Sequence, residues 1–252
     1  MWRLPDDQSK PIITAAEQIE SAHLSRPMEL PETAIVFFMR KGPAYLTQDY
    51  DTVELPEPFP CFLNRRPIWR MRDLPICFLY GGSGAPQAAD TLETLAALGV
   101  KKIVAAGMFG AFSELVHPGD IVLPERCFVE EGTSLHYYSA IDAAAPDRDL
   151  HQRLAMYLQK PVYPIVSVDA VYRQTFRKEA LWREKGAVGV DMETSAVFSI
   201  SRYLGLRAAA LLIASDVHPL APDAPKWEWV MSVDMRHTLA EQSVLAAKAL
   251  LV

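Results

Sequence analysis

The chain has 252 residues, half of them hydrophobic, and a formal net charge of −6. That length can bury a substantial core within one α/β domain. The acidic balance argues against a nucleic-acid partner, because phosphate backbones repel such a surface unless it carries a concentrated basic patch. The longest apolar run, residues 208–214, is far too short to cross a bilayer, so no membrane partner is expected. The opening Met-Trp-Arg-Leu-Pro-Asp-Asp lacks the apolar centre of a signal peptide, which points to the cytoplasm.

In chain order, the residues before 33 read as an N-terminal extension with a short helix over 14–23, and a first strand follows at 34–39. Residues 41–75 hold Pro56, Pro58, Pro60, Pro67 and Pro75, which predict an irregular insertion without regular helix or central strand. Within it, Arg65, Arg66, Arg70 and Arg72 surround Trp69: a solvated charge run, or an anion site for one phosphate. Strands expected at 76–80, 102–106, 120–123, 162–168, 187–190 and 207–214 alternate with helices at 86–98, 149–160 and 192–204. A closing helix begins near 229, its stripe of Val233, Ala240, Val244, Ala247 and Leu251 reading as a core face. This alternation is the pattern of an α/β sheet, taken here as one domain over 1–252. Cys61, Cys77 and Cys127 are widely spaced and read as reduced, buried hydrophobes, so no metal is expected.

Ligands of open α/β sheets collect at the carboxyl ends of strands. Four such ends carry polar signals. Gly81-Gly82-Ser83-Gly84-Ala85-Pro86 is a glycine-rich turn entering a helix, suited to an anion or a ligand hydroxyl. Its spacing is neither that of a dinucleotide fingerprint nor of a P-loop, so neither of those cofactors is expected. Gly107-Met108-Phe109-Gly110 reads as a second glycine turn. Asp191-Met192-Glu193 places two carboxylates at a helix N-terminus, where acidic residues also simply complement the helix dipole. Ser215-Asp216 ends a very apolar strand and reads equally as a cap. Together they would form a pocket with carboxylates over a partly apolar floor, fitted to a neutral, polyhydroxylated ligand with a flat ring.

These segments, with Leu98-Gly-Val-Lys-Lys-Ile-Val104, Pro118-Gly-Asp-Ile-Val-Leu123, Glu131-Gly-Thr-Ser-Leu-His-Tyr137 and Ser167-Val-Asp-Ala-Val-Tyr172, resemble the purine nucleoside and uridine phosphorylase superfamily in order and spacing. The resemblance covers roughly residues 76–217. It implies a three-layer α/β/α domain with a mixed, partly barrel-like sheet, assembled as a homo-oligomer: dimer, trimer or hexamer. It implies an enzyme that breaks the N-glycosidic bond of a nucleoside, purine-type because Asp216 is present, with inorganic phosphate or water as acceptor and no cofactor. Glu193 would accept hydrogen bonds from the ribose hydroxyls and Met192 would pack under the sugar. Asp216 would act as catalytic acid at N7 of the base, beside Ser215. Val171 and Tyr172 would stack on the base, and Gly107 and Ser83 would line the site. His136 and Tyr137 fall near the family's site or a subunit boundary without a defined role. An acid near neutral pH needs a raised pKa, which a dry pocket at the end of 208–214 is expected to supply.

The pattern breaks at the acceptor. The family's phosphate-gripping arginine and its neighbouring hydroxyl correspond here to Ala105 and Met108, and Met39-Arg40-Lys41-Gly42-Pro43 replaces the N-terminal Gly-Asp-Pro turn. Three readings remain: phosphate held by a substitute cation (Arg40, Arg65 or Arg66), water in place of phosphate, or a nucleoside-binding protein without turnover.

Overall fold

The structure, a computed structural model, describes residues 9–21, 28–63 and 65–251. Its elements are α1 (Ala15–Ser21), β1 (Thr33–Phe37), α2 (Gly42–Asp49), β2 (Thr52–Glu54), β3 (Ile68–Met71), β4 (Ile76–Tyr80) and α3 (Ala85–Ala97). Then come β5 (Lys102–Ala111), β6 (Ile121–Glu130), β7 (Ala143–Ala144), α4 (Arg148–Leu158), β8 (Val162–Val168) and α5 (Phe176–Glu184). β9 (Gly189–Asp191), α6 (Thr194–Tyr203), β10 (Arg207–Val217) and α7 (Val233–Ala249) complete the chain.

Alternate residues of the central strands serve two different cores, and this sorts the helices into layers. In β1, Ala34 and Val36 pack on one side of the sheet and Ile35 and Phe37 on the other. β10 repeats the pattern, with Ala208, Ala210, Leu212 and Ala214 opposed to Ala209, Leu211 and Ile213. α3 and α6 close the first core through Leu92, Leu95, Val197 and Ile200. α2, α4 and α7 close the second through Leu46, Leu150, Leu154, Leu239 and Val244. Strands covered on both faces are apolar throughout, which is why they stand out in the sequence.

The sheet order is β10-β6-β8-β9-β5-β1-β4-β3-β2, with β7 on β6 and a further pairing of β5 with β10. That pairing closes β10, β6, β8, β9 and β5 into a barrel and leaves β1, β4, β3 and β2 as an open wing. Parallel pairs (β1–β4, β1–β5, β5–β10) and antiparallel ones (β5–β9, β6–β10) make the sheet mixed. The expected three-layer, partly barrel-like α/β/α architecture is thus present.

Three expectations need correction. Gly107–Gly110 is not a turn: β5 continues through it, pairing Gly107 with Leu212 and Met108 with Ile213. Its glycines admit close neighbours rather than bend the chain, since a Cβ at Gly107 would lie 3.0 Å from Leu212 Cδ2. Ser215-Asp216 likewise lies inside β10 and does not cap a helix. Residues 41–75 are also less irregular than their prolines suggest. Pro43 sits in the first turn of α2, where its missing N–H costs nothing, and β2 and β3 form an antiparallel pair at the sheet's outer edge. The predicted helix over 14–23 appears as α1, its last two positions lying outside the described residues, as does the opening heptapeptide. The three cysteines are buried and form no disulfide. Among the described residues no helix is long and apolar enough to cross a membrane.

The barrel closure is tight where β9 crosses β5. A Cβ at Gly189 would come within 2.2 Å of Phe109 Cδ2 and 2.7 Å of the Gly110 carbonyl oxygen. Overpacking of this kind costs about 1–3 kcal/mol. Gly189→Ala is therefore expected to lose stability in that range in urea denaturation; a variant as stable as wild type would show that the crossing has slack.

Candidate active site

Asp191 and Glu193 are neighbours with different jobs. Asp191 ends β9 and caps α6: its Oδ2 accepts from the Thr194 N–H at 3.0 Å and from the Thr194 hydroxyl, and its Oδ1 accepts from the Ser167 hydroxyl. Glu193, at the position before the helix, makes no cap bond. Its Oε1 instead accepts from the Gly84 N–H at 2.5 Å, joining the first glycine turn to this strand end. Gly84 has φ +80°, a conformation that glycine adopts without a steric penalty. Burial pushes the Glu193 carboxyl up, and the charge of Asp191 adds to it, to about 8. Burial also raises Asp191, against the hydrogen bonds from Ser167 and Thr194.

Asp216 behaves in the opposite way to expectation. Burial pushes its carboxyl up, but hydrogen bonds from His218, Ser215 and Trp227, together with the His218 charge, outweigh burial and hold it below the ordinary carboxylate value. The Ser215 hydroxyl donates to Oδ1 at 2.5 Å, the Trp227 indole N–H donates to Oδ2 at 2.6 Å, and His218 Nε2 stands 3.4 Å from Oδ2. On its other side, His218 Nδ1 lies 2.7 Å from Glu179 Oε1 of α5. Burial disfavours the imidazolium, yet the hydrogen bonds and charges of the two carboxylates raise His218 to about 9. The site thus holds a carboxylate and an imidazolium where a neutral carboxylic acid was expected. A dry environment raises an acid only where burial outweighs the donors and cations directed at the carboxylate.

Both carboxylates face one cavity of about 530 Å³, a volume suited to a small molecule. Of the residues singled out in the sequence, Met192, Glu193, Ser215, Asp216, Ser83, Val171 and Tyr172 line it. Gly107 does not; its neighbours Met108 and Gly110 do. Val171 and Tyr172 stand on a short 3-10 turn at the mouth, Tyr172 being 95% exposed. His136 and Tyr137 lie elsewhere, the Tyr137 hydroxyl donating to Glu93.

The expected phosphate cations are not in the cavity. Arg40 and Arg65 are exposed on the surface. Arg66 is buried behind the first glycine turn, its Nη1 donating to the Tyr80 carbonyl at 2.8 Å. Phe38 and Met108 line the cavity instead, and among the described residues no lysine or arginine does so. Arg236 of α7 reaches Met108 from behind, its Nη1 4.0 Å from Sδ. Sequence reasoning missed Glu179, His218, Trp227 and Arg236. Only Gly110 carried a trace of them: a Cβ there would lie 2.4 Å from His218 Nε2, so this glycine makes room for the imidazole.

Residues 34–247 match the sequence profile of the Phosphorylase superfamily, and the chain belongs to that family. Among curated relatives it is similar to a guanosine phosphorylase of Halorubrum lacusprofundi, 35% identical over 144 residues, which cover 55% of this chain and 59% of that protein. A purine nucleoside phosphorylase DeoD-type of Alkaliphilus metalliredigens is 25% identical over 142 residues, covering 54% of this chain and 61% of the relative. The matched region thus spans about three fifths of each relative's length. In fold, the chain is similar to a purine nucleoside phosphorylase from Toxoplasma gondii, with TM-score 0.74, 20% identity, and 91% and 94% of the two chains covered. A uridine phosphorylase from Vibrio fischeri superposes with TM-score 0.71 at 20% identity, over 91% of this chain and 98% of the other.

The raised Glu193 carboxyl has a consequence for stability. The folded protein holds this proton up to about pH 8 while the unfolded chain releases it near 4.5, so wild type loses stability as pH rises through that window. Glu193→Gln removes the loss. The difference in Tm between variant and wild type should grow in the variant's favour from pH 5 to pH 8 and be flat below 4.5; parallel Tm profiles would contradict the burial of this carboxyl.

Proposed function

We propose that the protein cleaves the N-glycosidic bond of a purine-type nucleoside, with phosphate as the acceptor of the sugar. One observation carries the reading: Glu193, at the start of α6, and Asp216, in β10, face a single largely apolar cavity beside Met192 and Ser215. Bond cleavage builds positive charge on the ribose and negative charge on the base. Glu193, placed at the ribose, is a carboxyl that a neighbouring cation would ionise, so its stabilisation grows as the sugar becomes cationic. Met192 packs under the sugar, and Ser83 and the glycine turn offer polar contact to its hydroxyls. Asp216, with Ser215, meets N7 of the base, while Val171 and Tyr172 flank the ring.

Water is the second reading for the acceptor. The observation that favours it is the apolar pair Phe38 and Met108, with no guanidinium in the cavity among the described residues. A charge-assisted hydrogen bond contributes about 1.5–3 kcal/mol, so losing a bidentate pair lowers phosphate affinity by tens-fold or more. Phosphate would then depend on Arg66 behind the glycine turn, on Arg236 behind Met108, or on Arg40 and Arg65 of a neighbouring copy. A homo-oligomer is supported by the exposed aromatic side chains Tyr172, Trp227 and Trp229 at the mouth. Cysteines without disulfides favour the cytoplasm. The sheet shared by all strands favours one domain over the whole chain.

The test is base release from a nucleoside panel with and without phosphate, with the sugar product identified by mass spectrometry. Ribose 1-phosphate forming with weak, millimolar phosphate saturation is expected; free ribose alone would make water the acceptor, and binding without base release would make the protein a nucleoside binder. Glu193→Gln should lower turnover by on the order of 10²–10³, the typical effect of removing one transition-state contact, in a folded protein. Near-wild-type turnover would remove Glu193 from the site. Micromolar phosphate saturation that survives replacement of Arg66 and Arg236 would show that the acceptor site has been misread.

A further inference from the structure

His218 stands where the cavity wall, α5 and β10 meet. Its Nδ1 is 2.7 Å from Glu179 Oε1 and its Nε2 is 3.4 Å from Asp216 Oδ2, so one imidazole bridges two carboxylates. The three side chains are largely shielded from solvent, with side-chain exposures of 17% for His218, 7% for Glu179 and 4% for Asp216. The arrangement is built into the backbone on both sides. The His218 N–H donates to the Ala111 carbonyl at 2.7 Å, and Gly110 leaves the space that the ring occupies. Glu179 and Asp216 are the titratable groups that contact the imidazole; Asp191 and Glu193 line the same cavity from the sugar side. Two carboxylates that close would repel each other unless a cation lay between them, and the imidazolium is that cation.

This leaves the proposed reaction short of an acid at the base. Asp216 is ionised, accepts from Ser215, Trp227 and His218, and by itself has no proton to give. Resting on the glycosidic reading above, we propose that His218, backed by Glu179, supplies the proton that Asp216 passes to the departing base. As the C1′–N bond breaks, its electron pair passes to the base and a ring nitrogen of the base takes a proton from Asp216 Oδ2. Asp216 takes that proton from His218 Nε2, and His218 is left neutral with Nδ1–H donating to Glu179. An acceptor oxygen forms the new bond to C1′, and the proton that the acceptor releases to solvent is replaced on His218 from solvent before the next turnover. His218 acts through Asp216 and is a positioning residue in this scheme. Glu179 keeps the ring oriented and holds its proton above neutral pH.

Two measurements test the proposal. The first uses a nucleoside already methylated at N7, 7-methylguanosine, whose base departs neutral and needs no proton, alongside guanosine. His218→Gln should lower guanosine turnover by on the order of 10²–10⁴, the usual range for proton transfer, and 7-methylguanosine turnover by less than about tenfold. Glu179→Gln, which keeps a hydrogen-bonding side chain but removes the charge, should shift the alkaline limb of the guanosine kcat/KM profile to lower pH. Equal losses on both nucleosides, or an unmoved alkaline limb in Glu179→Gln, would overturn the relay and leave the glycosidic reading standing. Wild type releasing base from neither nucleoside would overturn both. The second measurement needs no turnover: the ¹⁵N resonances of the His218 ring should report a doubly protonated imidazole at pH 7.5 in wild type, and a neutral ring there would overturn the relay whatever the kinetics.

Discussion

β5 and β10 run parallel from the Lys102–Arg207 pair to the Ala111–Val217 pair, and their register slips by one residue between Ala214 and Asp216. This pairing closes the barrel, and the slip determines what faces the cavity. In a strand, neighbouring side chains point to opposite faces, so one extra residue re-aims everything beyond it. Ser215 takes up the extra position, and Asp216 comes level with Gly110. With no Cβ at Gly110, the imidazole two residues further along folds back across the barrel end and reaches Asp216. β9 joins the same barrel through Gly110 and Val190, which brings Glu193 to the cavity. Asp216 is therefore placed by the backbone ladder of β10, and Glu193 sits two residues past β9 at the start of α6, so both are held by regular elements rather than by loops.

The two carboxylates share a cavity and differ in ionisation because their partners differ. Glu193 has only backbone donors, from Gly84 and Met192, and an anionic neighbour, so burial dominates and the proton is retained. Asp216 has a hydroxyl, an indole and an imidazolium directed at it, and these outweigh burial. Titratable groups pushed in opposite directions are how one pocket assembles different proton-handling roles at one pH. In the proposed reaction the pair would also orient the chemistry, with the group that gains from a nearby cation at the sugar end and the group already coupled to a proton donor at the base end.

The fold is shared with nucleoside phosphorylases at only 20% identity, so most side chains carried on it have been exchanged. Here Phe38 and Met108 line the cavity, while Arg66 and Arg236 stand outside it, against the Tyr80 carbonyl and the Met108 sulfur. A barrel of this kind tolerates such exchange because the ladder that closes it runs through main-chain atoms. Lining side chains change without disturbing closure, and function has to be argued from them, not from the fold.

By itself the sequence determined the sheet-forming runs, the helices over them and the family. Each of those signals is local: apolar strands buried on both faces, helices with an apolar stripe, glycines past helix ends. It also picked out Glu193, Met192, Ser215 and Asp216, because these stand in short motifs of recognisable order. It misjudged 107–110 as a turn and ended the last core strand at 214 because glycine and small polar residues mark a strand end only when no partner strand claims them, and here β10 and β5 claim each other across about a hundred residues of chain. The ionisation of Asp216, the contact of Glu179 with His218 and the distance of the arginines from the cavity were decided by tertiary structure alone. A pKa depends on which donors lie within a few ångströms, and those donors come from α5, from the loop carrying Trp227 and from a register slip, none of which leaves a periodic mark in the sequence.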